Sequence, residues 1–80
     1  MANNKLDIAL RDVRAAHDAA NAARVAFRQT LNAWARGKTE ANTRAHVDAR
    51  NQLNIALENL RLAEQRRAAA RSELFQLQAI

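Results

Sequence analysis

The side chains that could carry out acid–base or covalent chemistry are few in this chain and far apart in sequence. There are two histidines, His17 and His46, and one serine, Ser72, but no cysteine. His17 precedes Asp18, yet consecutive residues of a helix do not face each other. Neither histidine belongs to a metal-ligand pair of the H-E-x-x-H kind. Ser72 has no base at helical spacing, so no activated nucleophile is recognisable.

Cofactor and small-molecule chemistry lack sequence support as well. The only glycine, Gly37, cannot form a glycine-rich phosphate loop, and the lack of cysteine excludes disulfides and thiolate metal sites. A helical chain of 80 residues also has little room for the concave pocket that a small substrate needs. We therefore predict a protein that is not an enzyme, with no catalytic residue, cofactor, metal or small-molecule substrate.

The composition favours helix almost everywhere, because there is no proline and only one glycine. No segment approaches the roughly 18 consecutive apolar residues of a membrane span. The first residues, "MANNKLDIAL", lack the apolar core of a secretory signal peptide. We expect a soluble cytoplasmic protein without membrane contact. Eleven arginines against two lysines are typical of a GC-rich genome, bacterial or phage.

Large and small apolar residues repeat every seven positions through the first half of the chain. With Leu6 at heptad position a, the a series is Leu6, Val13, Ala20, Phe27 and Trp34, and the d series is Ala9, Ala16, Ala23 and Thr30. Leu10 and Leu31 widen this stripe from position e. The pattern predicts an amphipathic helix over about residues 5–36.

A turn is predicted at about residues 37–39. Gly37 is placed as a structural residue in the left-handed conformation just past the helix end. Arg36 lies in the last turn, where a cation suits the helix dipole. Thr39 is the candidate N-cap of a second helix, with Thr43 as the competing cap.

The second helix is predicted over about residues 40–78. Its a series is His46, Leu53, Leu60, Arg67 and Leu74, and its d series is Ala49, Ala56, Ala63, Ala70 and Leu77. A short connection makes the two helices antiparallel neighbours. The fold class is therefore all-α, a long antiparallel helical hairpin in a single domain over residues 1–80. His46 is expected to be a partly buried structural histidine against Leu31 or Trp34.

Arg67 is the one charge within the seam of the second helix. One interpretation is an ion pair with Asp12, or with Asp7 one turn away, which fixes the register of the helices. The other is that the Arg67 stem lies along the seam while its guanidinium reaches water. We favour the ion pair and take Arg67 and Asp12 as structural residues.

The second helix also carries apolar residues away from its seam: Ile55, Leu57, Leu62 and Phe75. In a lone hairpin they would form an exposed patch, and such patches usually mark an interface. We predict a homodimer that associates through this face into a four-helix bundle. The alternative is a heteromeric bundle in which a different protein covers the face.

The net charge of +5 is unevenly distributed along the hairpin. Residues 21–57, the turn half, carry six basic and two acidic side chains, a net +4, whereas the half with the termini is nearly balanced. Binding energy at interfaces concentrates in aromatic and arginine residues. We therefore predict a partner-binding tip, made of Trp34, Arg28, Arg36, Lys38 and Arg44.

Two families share features with this pattern. Alternating small and large core layers in a dimer of hairpins resemble those of the Rop-like RNA-binding proteins. This resemblance covers architecture and core style and implies a dimer of hairpins, without RNA-contact residues. The segment "WARG", residues 34–37, is similar to the W-x-G turn of the WXG-type secreted proteins, although it is one residue longer. The tyrosine of that family's export signal has no counterpart, because the chain has no tyrosine.

The leading functional hypothesis is a non-catalytic interaction protein that binds a partner protein through a rigid helical hairpin. Its role would be that of an inhibitor, an adaptor or a chaperone. A Rop-like dimer that binds nucleic acid is the alternative. A phage structural or assembly component, or a WXG-like secreted protein, comes third.

Overall fold

The computed structural model describes residues 2–79, which form two long helices, α1 (Ala2–Arg36) and α2 (Glu40–Ala79). The helices pack against each other along their length, so the chain is an all-helical hairpin, as the sequence predicts. The hairpin measures 62 × 13 × 13 Å. Neither of its helices combines the length and apolar character needed to cross a membrane.

Burial follows the seven-residue period closely. Side chains are described for residues 4–78, and in α1 every a and d residue from Leu6 to Trp34 is buried or half-buried. In α2 every a and d residue from Asn42 to Leu74 is also buried or half-buried. Asn42 occupies position d one heptad before Ala49, the first d residue of the predicted series. Leu77, at 56% exposure, is the exception among the predicted seam positions. The predicted register of both helices is therefore confirmed.

The centre of the seam consists of small residues. Ala20 is fully buried and lies in one cluster with Ala56 and Leu60, against which Ala16 and Ala23 pack. Alanine at alternate layers lets the two backbones approach closely, while leucine fills the space between layers. No large side chain of residues 4–78 is fully buried. Two helices alone do not surround a large side chain, so most of the surface of each helix stays exposed.

Ion pairs across the seam show which flanking positions face each other. The Lys5 Nζ lies 3.3 Å from the Glu73 Oε2, and both residues occupy position g. The His17 Nε2 lies 3.6 Å from the Glu64 Oε1, and both residues occupy position e. In this antiparallel hairpin g therefore faces g along one side of the seam, and e faces e along the other.

The predicted ion pair between Arg67 and Asp12 is not formed. The four ion pairs among residues 4–78 include neither residue. The reason is geometric: Arg67 occupies position a inside the seam, whereas Asp12 occupies position g and shares a surface groove with Arg66 of α2. Arg67 is half-buried at its seam position, as the other interpretation expects.

The turn is stabilised by side-chain caps. The Asn42 backbone N–H donates to the Thr39 Oγ1 at 3.1 Å, so Thr39 is the N-cap of α2, as predicted. The Asn42 side-chain amide donates to the carbonyls of Gly37, at 2.7 Å, and Ala33, at 3.4 Å. The Ala33 carbonyl also accepts from the Gly37 backbone N–H at 3.1 Å, so it is satisfied without a left-handed residue. Gly37 accordingly has no positive φ, and the predicted left-handed conformation is wrong.

Candidate interaction surfaces

An aromatic cluster closes the hairpin next to the turn. The imidazole of His46 lies between Phe27, with ring centroids 4.9 Å apart, and Trp34, stacked at 5.8 Å. The Thr30 hydroxyl donates to the Phe27 carbonyl at 2.9 Å and lies 3.3 Å from the His46 Nδ1. Because the Thr30 proton is already used, Nδ1 of the imidazole must be the donor in the second bond. His46 is thus a structural histidine against Trp34, as predicted.

Trp34 has its polar edge satisfied inside the hairpin. Its indole N–H donates to the Thr43 Oγ1 at 3.0 Å. The Lys38 Nζ lies 4.9 Å from the centroid of the Trp34 ring, within the range of a cation–π contact. The side chain is half-buried. Its contacts are those of a core residue that closes the seam next to the turn.

The structure does not bring the other predicted tip residues into one patch. Lys38 covers Trp34. Arg44 lies on the outer edge of α2, where it pairs with Glu40 at 3.4 Å. Arg28 and Arg36 occupy positions b and c of α1, on opposite sides of the seam. The residues of the predicted binding tip therefore lie in four places: over Trp34, on the outer edge of α2, and on each side of the seam.

The arginines are segregated around the hairpin axis. Positions b and e of both helices lie on one side of the seam, and we name this side the basic face. Its charged residues are Arg14, Arg24, Arg28, Arg50, Arg61 and Arg71, against Asp7, Glu40 and Glu64. All six arginines are exposed. The net charge of the basic face is thus +3 of the total +5.

The opposite side of the seam, positions c and g, carries no net charge, and we name it the neutral face. Three basic residues and three acidic residues lie near its two ends: Lys5, Arg36, Arg66, Asp12, Asp48 and Glu73. Its middle has no charge, and its residues there are Ala15, Ala19, Ala22, Ala26, Gln29, Ala33, Gln52, Ile55, Asn59 and Leu62. Ile55 and Leu62 are 55% and 37% exposed. The centre of this face is therefore uncharged, with five alanines and two large aliphatic residues beside three amide side chains.

The predicted dimer-interface residues divide between the two faces. Ile55 and Leu62, at position c, lie on the neutral face. Leu57, at position e, and Phe75, at position b, lie on the basic face, and Phe75 is 71% exposed. Leu57 is two residues from Ile55, which on a helix is a rotation of about 200°. One surface therefore cannot contain all four residues.

A shallow groove lies on the neutral face near the termini. Its volume is about 270 Å³, and its apolar floor is Ile8, Ala9, Ala69 and Ala70. Alanines in facing layers leave this gap because neither helix supplies a large side chain there. The Lys5–Glu73 ion pair lies at its rim. A groove with an apolar floor can accept an apolar side chain, and Lys5, Asp12, Arg66 and Glu73 also line it.

Arg61 differs from the other arginines of the basic face because a carboxylate of its own helix binds it. Its Nε and Nη2 donate to the two oxygens of Glu58 at 3.0 and 2.5 Å. This hydrogen-bonded pair lowers the pKa of Glu58 and raises the pKa of Arg61. Two parallel bonds to one carboxylate hold the guanidinium in place.

Arg24, Arg28 and Arg50 form the middle of the basic face, and we name them the arginine patch. Within residues 4–78 they make no ion pair, and none has an acidic residue three or four positions away in its helix. The Arg24 Nη1 donates to the Asn21 Oδ1 at 3.0 Å, which orients that side chain. The sequence already contained this signal, because the heptad register places all three at b or e.

No group of three His, Cys, Asp or Glu side chains that could hold a metal ion occurs in the described part of the chain. Comparison with known proteins finds no family model, no curated protein and no solved structure that matches this chain.

Proposed function

We propose that this protein is a non-catalytic interaction protein that forms a homodimer through its neutral face and binds a partner protein through its arginines. The observation that carries the proposal is the segregation of charge between the two faces of the hairpin. A dimer built in this way is a four-helix bundle with one basic face on each outer side. Such a bundle suits an inhibitor, an adaptor or a chaperone-like protein.

The exposed surface of the hairpin supports dimerisation. The chain exposes 6138 Å², whereas a compact monomer of 8.9 kDa exposes roughly 4,800 Å². The excess of roughly 1,300 Å² is larger than the roughly 800 Å² that each partner buries in a standard interface. Folding of the single hairpin hides only about half of the unfolded surface, less than in a marginally stable domain of about 60 residues.

Charge favours the neutral face as the dimer interface. Contact between two basic faces would bring two net charges of +3 together at short range. Contact between two neutral faces brings no net charge together, and the alanines in its middle permit close helix packing. The opposite charges near its ends can pair across a two-fold axis. A two-fold dimer also uses the same patch twice, so each exposed isoleucine and leucine is covered in both copies.

Sedimentation equilibrium of matched variants tests this interface. Ala22→Glu places a charge in the middle of the neutral face, and the two-fold axis places a second one nearby, so we expect the dimer to dissociate. Val25→Glu adds the same charge on the outer edge of α1, where Val25 is 54% exposed, and should leave the dimer intact. Phe75→Ser, on the basic face, should also leave it intact. A dimer that persists in Ala22→Glu but dissociates in Phe75→Ser would show that the interface lies on the basic face.

Nucleic acid is the second candidate partner, as in a Rop-like dimer, and the six arginines of one face are the observation that favours it. A contact made mainly with phosphates weakens linearly in log affinity as log salt concentration rises. A protein interface with apolar contacts responds much less. The affinity for a labelled RNA or DNA duplex and the affinity for the protein partner are each measured at several salt concentrations. The salt dependence of the two affinities separates the candidates.

A further inference from the structure

We infer that the arginine patch, together with the apolar residues beside it, is a docking groove for an acidic amphipathic helix of a partner protein. By groove we mean the strip of surface where α1 and α2 meet on the basic face, in the half of the hairpin nearer the turn. Its residues are Arg24, Arg28 and Arg50 with Leu31, Val47 and Leu57. The inference rests on the proposed function, because it names the surface and the partner chemistry of that binding protein.

Among the described side chains, those of residues 4–78, no ion pair compensates the charge of the groove. Arg24 and Arg28 are four residues apart in one helix, a spacing at which like charges face and repel each other. Arg50 lies level with Arg28 on the other helix in the register set by the Lys5–Glu73 pair. The two acidic residues of the basic face that flank the groove in α2, Glu40 and Glu64, are engaged with Arg44 and His17. Carboxylates of a partner would supply the missing opposite charge.

Apolar side chains flank the arginines. Leu31 and Val47 are each 39% exposed at the turn end of the groove, and Leu57 is 37% exposed at its other end. A phosphate backbone offers no apolar group to cover them, whereas the apolar stripe of an amphipathic helix does. The combination of arginine with aliphatic contacts therefore favours a protein partner over nucleic acid.

The spacing suits a helix laid along the groove. In the register of the hairpin, Leu57 lies level with position 21 of α1, so it is about ten residues, or roughly 15 Å, from Leu31. This distance corresponds to about three turns of a partner helix. Apolar residues at the two ends of such a stretch would cover Leu31 and Leu57. Acidic residues between these two ends, along both edges of the partner helix, would reach Arg24 and Arg50.

A designed peptide tests the chemistry without knowledge of the natural partner. The probe is a fluorescein-labelled helix of about 18 residues, or five turns, with leucines on one face and glutamates along both edges of that face. One control peptide has glutamine in place of glutamate. A second control has the same composition in scrambled order, which removes the apolar face but keeps the charge. Fluorescence anisotropy with the full-length protein measures the affinity of each.

We expect the acidic amphipathic peptide to bind at least about tenfold more tightly than either control. The double variant Arg24→Ala/Arg50→Ala should weaken its binding by about tenfold or more. The matched variant Arg11→Ala/Arg44→Ala loses the same charge from the outer edges of the helices and should change it by less than about twofold. Equal binding of the scrambled acidic peptide, or equal loss in the two double variants, would overturn the inference, since net charge alone would then explain the affinity.

Two further results separate the inference from the proposed function. A protein partner captured by crosslinking in the source cells, whose affinity is unchanged in Arg24→Ala/Arg50→Ala, contradicts the groove but leaves the protein-binding function in place. A labelled DNA or RNA duplex of about 20 base pairs that binds more tightly than the peptide, with a steep salt dependence, contradicts both.

Discussion

The indole N–H of Trp34 donates to the hydroxyl of Thr43 across the turn at 3.0 Å, and the same hydroxyl donates to the Thr39 carbonyl at 2.8 Å. Thr43 thereby links the end of α1 to the first turn of α2. Thr43→Val removes both bonds without a large change in volume and should lower the free energy of unfolding by about 1 kcal/mol or more. Thr43→Ser keeps the hydroxyl and is the control. Urea unfolding followed by the fluorescence of Trp34 measures both, and equal stability of the two variants would show that the bonds contribute little.

Gly37 can accept a side chain. It has no positive φ, and a Cβ at this position would lie 3.7 Å from the Asn42 amide nitrogen, an ordinary contact. Gly37→Ala should therefore leave the free energy of unfolding unchanged or raise it by about 0.4–1 kcal/mol, because alanine has fewer unfolded conformations. A loss of more than about 1 kcal/mol in chemical denaturation would instead indicate a left-handed residue.

Arg67 is expected to be replaceable by an apolar residue. Arg67→Leu puts an aliphatic side chain at a half-buried a position and should raise the free energy of unfolding by about 1 kcal/mol. Asp12→Asn should change it by less than about 0.5 kcal/mol, because no ion pair joins the two residues. Thermal unfolding at one protein concentration compares the variants, since dimer stability depends on concentration. A fall of several kcal/mol in the free energy of unfolding on Asp12→Asn would instead show that Asp12 forms a stabilising ion pair.

The hydrogen-bonded pair of Glu58 and Arg61 predicts a pH dependence. The lowered pKa of Glu58 means that its carboxylate stabilises the fold fully above the pKa of the unfolded chain. This contribution is lost as the pH falls through the lower folded pKa. An NMR titration should find the Glu58 pKa below its ordinary value, and Arg61→Gln should return it toward that value. The same Glu58 pKa with and without Arg61 would contradict the pairing.

The helical hairpin could be read from the sequence because its determinants are local. Leu6 to Trp34 and His46 to Leu74 repeat every seven residues, and this period requires no knowledge of the partner helix. Thr39 could be recognised as an N-cap from its position before a helix. The burial of His46 against Trp34 follows from the same register once the connection is short.

The candidate surfaces depended on which residues of two distant segments share a side of the seam, and only the tertiary structure decided that. Counting charge along the chain placed the excess at the turn end, whereas the packed helices place a net +3 on the basic face and no net charge on the neutral face. Asn42 caps α1 from α2, and Asp12 lies beside Arg66 instead of Arg67, because in an antiparallel pair position g faces g. A heptad pattern defines which residues face inward. The pairing of the two helices defines which of the outward residues are neighbours.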